Sequence, residues 1–160
     1  MTKNLIKTHN HYLKILMVES DISREIAMRE WLDRDHVLKI KCTSIGNIVM
    51  SIIERDHEYA WHGIMLDYDL DEFREDVSYK SGWDVAKTIA KNTDKDVPIY
   101  IHSMNPDESQ EMFEFFKDEG FTSVTKTTFA EITRERFLDW LQECRTRVAE
   151  SIGDMPEMGW

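Results

Sequence analysis

The sequence predicts an α/β fold, one parallel five-stranded sheet with helices on both faces, and three observations predict it. Short apolar runs of strand length alternate five times with segments of helical spacing. Runs that should lie in the middle of the sheet stop abruptly at acidic or polar residues, as strands do when they reach a ligand-binding edge. Parallel neighbours need right-handed crossovers, and the intervening helical segments supply them.

Leu13 to Val18 (LKILMV) is the first apolar run and ends in Glu19-Ser20-Asp21. Ile22 to Asp33 then takes helical spacing, with Ile22, Ile26 and Trp31 or Leu32 expected inward. His36 to Cys42 alternates Val37, Leu38, Ile40 and Cys42 imperfectly, in the manner of an edge strand, and Ser44 caps a helix to about Arg55. Trp61 to Leu66 is the third strand, and Asp67-Tyr68-Asp69-Leu70-Asp71 opens an acidic stretch to Ser81 that reads as a site loop.

Gly82 to Asn92 is helical with Val85, Ala86 and Ile89 as its buried stripe, and Val97 to Ile101 is the fourth strand, with Pro98 tolerated near its start. After His102-Ser103-Met104-Asn105, Pro106 suits the first turn of a helix that turns Met112, Phe113 and Phe116 inward and closes at Gly120. Thr122 to Lys126 is the fifth strand. A last helix runs from about Ala130 to Ile152, where Phe137, Leu141, Cys144 and Val148 form one stripe.

A length of 160 residues suits one domain, placed at 13–152 between an N-terminal extension, 1–12, and a C-terminal tail, 153–160. The two cysteines, Cys42 and Cys144, form no CxxC pair, so neither a zinc site nor a disulfide framework is indicated. No segment resembles a signal peptide or a membrane span, and the expected location is cytoplasmic, away from the membrane. A net charge of −11 argues against a general nucleic-acid groove, because backbone binding depends on Lys and Arg displacing counterions, and leaves room only for a short, local basic contact, so no general DNA binding is expected.

The flavodoxin-like three-layer sandwich with sheet order 2-1-3-4-5 is adopted here from the known doubly wound pattern. Its ligands lie outside the C-terminal strand ends, where this sequence places Glu19, Asp21, Asp67, Asp69, His102, Ser103, Asn105 and Lys126. Converging carboxylates repel one another unless a cation intervenes, and oxygen ligands with open positions make Mg²⁺ the expected cofactor on Glu19, Asp21, Asp67 and Asp69. Asp21 taken alone reads first as a helix cap.

Lys126 offers a positive charge opposite the metal, although a surface lysine is an equal reading. Ser103, Asn105 and the N–H groups leading into the Pro106 helix suit a phosphate, and Arg24 suits it bidentately or makes a surface ion pair. His102 is either a general acid or base, or a buried structural histidine.

KILMVESD, IMLD and GFTSVTK resemble the first, third and fifth strands of the response-regulator receiver fold, over roughly Lys14 to Gln142. The resemblance implies metal binding by Glu19 and Asp21, a phosphoacceptor-like Asp67, a switch hydroxyl on Ser103 and a charge partner in Lys126. No proline follows Lys126, and His102-Ser103-Met104-Asn105-Pro106 is foreign to ordinary receivers. With Arg24, Asp67-Tyr68-Asp69-Leu70, Ser81-Gly82-Trp83-Asp84-Val85-Ala86 and Met112, that motif is similar to the cyclic-phosphate-processing receiver family.

Membership would imply action on cyclic phosphates of nucleotides or RNA ends, in bacterial or phage RNA repair. Tyr68 stands where that family has the histidine of an Asp-His-Asp-Leu motif, so a step needing two histidines is not carried over. The expected activity is that of a metal-dependent phosphoesterase, with Asp67 or a water attacking in line and His102 protonating the leaving oxygen. The alternatives are a receiver phosphorylated on Asp67, and a non-catalytic module that meets a partner protein or a second copy through Phe115 and Trp140.

Overall fold

Strand β1, Leu13–Val18, is flanked by the next two strands of the chain, pairing in parallel with β2, Leu38–Thr43, on one edge and with β3, Gly63–Asp67, on the other. The computed structural model describes residues 13–19, 21–31, 38–43, 53–54, 61–68 and 82–153, of which 38–43 and 151–153 are described by backbone alone. Beyond β3 come β4, Ile99–Ser103, and β5, Val124–Thr128, all parallel, giving the order β2-β1-β3-β4-β5 that was expected. Four helices are fully delimited: α1, Ile22–Glu30; α2, Gly82–Asn92; α3, Pro106–Asp118; and α4, Arg134–Gly153. The helix expected after Ser44 lies mostly outside the described residues, with helical backbone at Ile53 and Glu54.

Side chains alternate across a strand, so the inner strands are apolar on both faces and feed two cores. Leu16, Val18, Ile64, Leu66, Ile99 and Ile101 pack against Val85, Ala86 and Ile89 of α2 and Met112 and Phe116 of α3. On the other face, Ile15, Met17, Met65 and Tyr100 pack against Met28 of α1 and Phe137, Trp140, Leu141 and Cys144 of α4. The expected stripes of the three later helices hold, but Trp140 is not available to a partner: it is buried edge-on against Tyr100, with ring centroids 5.7 Å apart. Phe115 is half-buried against Trp83.

Helix α1 turns inward only the Trp31 end of its expected stripe. Ile22 and Ile26 are exposed, while Met28 is buried and Trp31 half-buried. Positions 24, 28 and 31 share a helical face, and the stripe is rotated from the apolar one because Arg24, a charged residue, belongs to it.

Both later strands begin, and end, two residues later than expected. Val97 closes a turn onto Asp94 O, and Pro98, which has no N–H, contributes only its carbonyl to Ile64. Before β5, Gly120 at φ +95° and Phe121 close α3 with N–H bonds to Lys117 O and Phe116 O, and the Phe121 ring packs on Phe116. Polar Thr127 and Thr128 therefore extend the edge strand, and the final helix begins only after a 3₁₀ turn at Phe129–Glu131.

Gly63 lies where β3 meets α4. A Cβ there would come 2.6 Å from Cys144 Sγ, 2.9 Å from Trp140 Cη2 and 3.0 Å from Ile15 Cδ1. Gly63→Ala is expected to lower stability by about 1–3 kcal/mol through overpacking, read as a lower midpoint in urea at an unchanged slope.

Candidate functional site

Register carries three ionisable side chains to one row at the C-terminal rim. Val18 pairs with Leu66, and Asp67 pairs with His102, so Glu19, one residue beyond Val18, comes level with both. Strand alternation sends all three toward α1 and α4, continuing the sequence of Met17, Met65 and Tyr100. Glu19, Asp67 and His102 are all buried, and one candidate ligand atom from each lies within 4.8 Å of the other two.

Two carboxylates so close and so dry need a positive charge, and α1 delivers one. The Asp21 side chain caps that helix, its Oδ1 accepting from the N–H groups of Ser23 (2.8 Å) and Arg24 (3.1 Å). This start points Arg24 back over the rim. Its Nε and Nη2 lie 2.9 and 2.7 Å from Glu19 Oε1, which also accepts the Asp21 N–H at 3.0 Å. Arg24 Nη2 is 3.5 Å from Asp67 Oδ2, and Nη1 is 3.5 Å from Asp21 Oδ2.

The guanidinium also lies over the ring of Phe129, 3.6 Å from its centroid, a contact worth roughly 0.5–2 kcal/mol. Phe129 touches His102 as well, with centroids 5.4 Å apart. Phe129 was not among the residues expected in the site. It is the first residue past β5, the position rule that selected the other candidates, but ending β5 at Lys126 hid it.

Burial and the neighbouring Asp67 charge push the Glu19 carboxyl up to about 7, against the lowering effect of Arg24 and the Asp21 N–H. Burial, aided by the Arg24 charge, pushes His102 down to about 3. A neutral imidazole there carries one N–H and one lone pair, so His102 offers a donor and a ligand atom, and only its charged imidazolium form is disfavoured. His102 Nε2 is 3.4 Å from Glu19 Oε2, and among the described residues neither ring nitrogen of His102 nor Glu19 Oε2 has a hydrogen-bond partner.

The other expected residues separate from this row. Lys126 pairs with Ile101, in the row of Leu66, and alternation turns it to the opposite face, where its Nζ lies 5.8 Å from the Phe113 ring. Among the described residues it forms no ion pair with Asp67; the charge opposite the carboxylates comes from Arg24. Ser103 is buried and its Oγ accepts the Asn105 N–H at 3.0 Å, while Asn105 Oδ1 caps α3 through the Asp107 N–H at 2.9 Å. Tyr68 packs edge-on against Trp83, with centroids 6.3 Å apart. Asp69 and most of the acidic stretch to Ser81 lie outside the described residues.

A family model described as the cyclic-phosphate processing receiver domain matches residues 28–118, more than half of the chain. The chain belongs to that family. The span that matches this receiver family contains Asp67, His102, Ser103 and Asn105, whereas Glu19 and Arg24 precede it and Lys126 and Phe129 follow it. Comparison with curated proteins gives no match.

Solved structures support the receiver fold. A signal receiver domain from Vibrio parahaemolyticus superposes with a TM-score of 0.64 at 19% identity, covering 91% of this chain and 99% of that one. A CheY-like response-regulator receiver domain from Methanospirillum hungatei gives 0.63 at 12% identity, with coverages of 86% and 97%. The receiver domain of a sensor histidine kinase from Pseudomonas aeruginosa, solved with a magnesium ion coordinated in its active-site cleft, gives 0.59 at 17%, with coverages of 84% and 98%. Among the described residues no helix is long and apolar enough to cross a membrane.

Arg24→Ala would leave two buried carboxylates without their cation. A loss of about 2–3 kcal/mol is expected, below that of a fully enclosed pair because Arg24 is a quarter exposed. Thermal melts should show the deficit shrinking when a divalent cation is added, since the cation would then neutralise the same carboxylates.

Proposed function

We propose that this receiver domain holds a phosphate group beside a divalent cation at the rim of β1, β3 and β4, and hydrolyses cyclic phosphates on nucleotides or RNA ends. The observation that carries this reading is the convergence of buried Glu19, Asp67 and His102, within 4.8 Å, beneath a single arginine. The family's description supports the substrate class, and the magnesium in the Pseudomonas neighbour supports the cation.

The donor set fits a divalent ion. Glu19 Oε2 and the His102 lone pair are buried without partners among the described residues, and Asp67 borders them. Such an ion, when bound, supplies Lewis-acid polarisation of a phosphoryl oxygen. Arg24 then has two tasks. Its short contacts to Glu19 hold the guanidinium in place, and its 3.5 Å contacts to Asp21 and Asp67 are long enough to be exchanged for phosphate oxygens, which a guanidinium binds bidentately.

Asp67, held rigid by burial at the end of β3, supplies the carboxylate that would take a proton from the attacking water as its oxygen bonds to phosphorus, the ring P–O bond breaks and the departing oxygen takes a proton from solvent. The receiver alternative, a stable aspartyl phosphate on Asp67, needs a cation on the far side of the phosphoryl group, and Lys126 turns to the other face of the sheet.

Incubation of the chain with 2′,3′-cyclic nucleotides and a divalent cation should yield the ring-opened monophosphate, and Asp67→Asn should lower the rate at least about 100-fold. Equal background rates in both proteins, with both folded, would refute the reading.

A further inference from the structure

The orphaned atoms at the rim are of two chemical kinds. Glu19 divides its oxygens: Oε1 takes Arg24 and the Asp21 N–H, while Oε2 turns away from Arg24's short contacts and faces His102 Nε2 at 3.4 Å. His102 is fully buried, lies in the same row as Asp67, and has no hydrogen-bond partner at either ring nitrogen among the described residues. A buried imidazole in that condition is costly unless something accepts its lone pair.

An ion ligated by Glu19 and Asp67 would satisfy the Nε2 lone pair. Two cis ligands, each about 2.1 Å from one ion, are roughly 3.0 Å apart, so the Glu19–His102 separation needs to close by only a few tenths of an ångström. Phe129, under the Arg24 guanidinium, packs against the imidazole at a tilt of 59°, and His102 Nε2 faces Glu19.

We infer that His102 Nε2 is a metal ligand alongside Glu19 Oε2 and Asp67, and that the site therefore takes a first-row divalent transition ion in preference to Mg²⁺. Mg²⁺ favours all-oxygen coordination, imidazole favours the transition ions, and Mn²⁺ accepts both donor types. The inference rests on the proposed divalent site and refines the kind of ion it holds. The competing account of the same atoms is a proton shared between Glu19 Oε2 and His102 Nε2.

The full chain titrated with Mn²⁺, and separately with Mg²⁺, by calorimetry should bind Mn²⁺ at least about tenfold more tightly. Electron spin echo modulation of the bound Mn²⁺ should show coupling to a directly ligated ¹⁴N nucleus. His102→Gln should abolish that coupling and weaken Mn²⁺ about 10–100-fold while changing Mg²⁺ affinity less than threefold. Modulation in the unaltered chain needs no variant to fold, so a failed His102→Gln preparation does not block the test. Mn²⁺ bound without nitrogen coupling would overturn the inference and leave the proposed function standing on oxygen ligands. Binding of neither ion would overturn both, in favour of the shared proton.

Discussion

Two carboxylates buried side by side at the end of a parallel sheet are unstable without a positive charge between them, and the architecture at that end follows from supplying it. Glu19 and Asp67 come together because β1 and β3 are hydrogen-bonded neighbours in a fixed register. Arg24 reaches them because Asp21 caps α1 at the point that turns its first inward residue over the rim. Phe129 then covers the guanidinium from the far edge of the sheet. One arginine from α1 thus neutralises carboxylates from two strands, and its seat on Phe129 ties α1 and the turn after β5 to the sheet.

The parity of the strands decides which side chains can cooperate. Residues in one row point to one face, and residues one step lower point to the other. Glu19, Asp67 and His102 share a row, so two acidic groups and an imidazole meet; Lys126 is one step lower and joins the packing around Phe113 instead. A shift of one residue in β5 would reverse this choice.

Much of the fold was legible in the chain itself. The apolar runs of β1 and β3, the stripes of α2 and α4, Pro106 at the start of α3 and Gly120 at its end all act locally, through propensity, periodicity and backbone geometry, and each stood out in isolation. Strand ends were harder. β4 and β5 extend past their apolar stretches because polar residues at a sheet edge are held by their neighbours' hydrogen bonds, which composition does not register. The face of α1 was misread for a related reason: a charged residue in a buried stripe breaks the hydrophobic period, and only its distant partners justify the placement.

The sequence by itself determined the alternation of elements, the parallel sheet, and the arrival of acidic residues, His102 and Arg24 at one edge. These follow from interactions within a few residues along the chain. Only the tertiary structure decided that Lys126 faces away, that Phe129 supports Arg24 and that His102 lies beside Glu19. Such relations depend on register between strands distant in sequence, and a single residue of register changes the face on which every side chain lies.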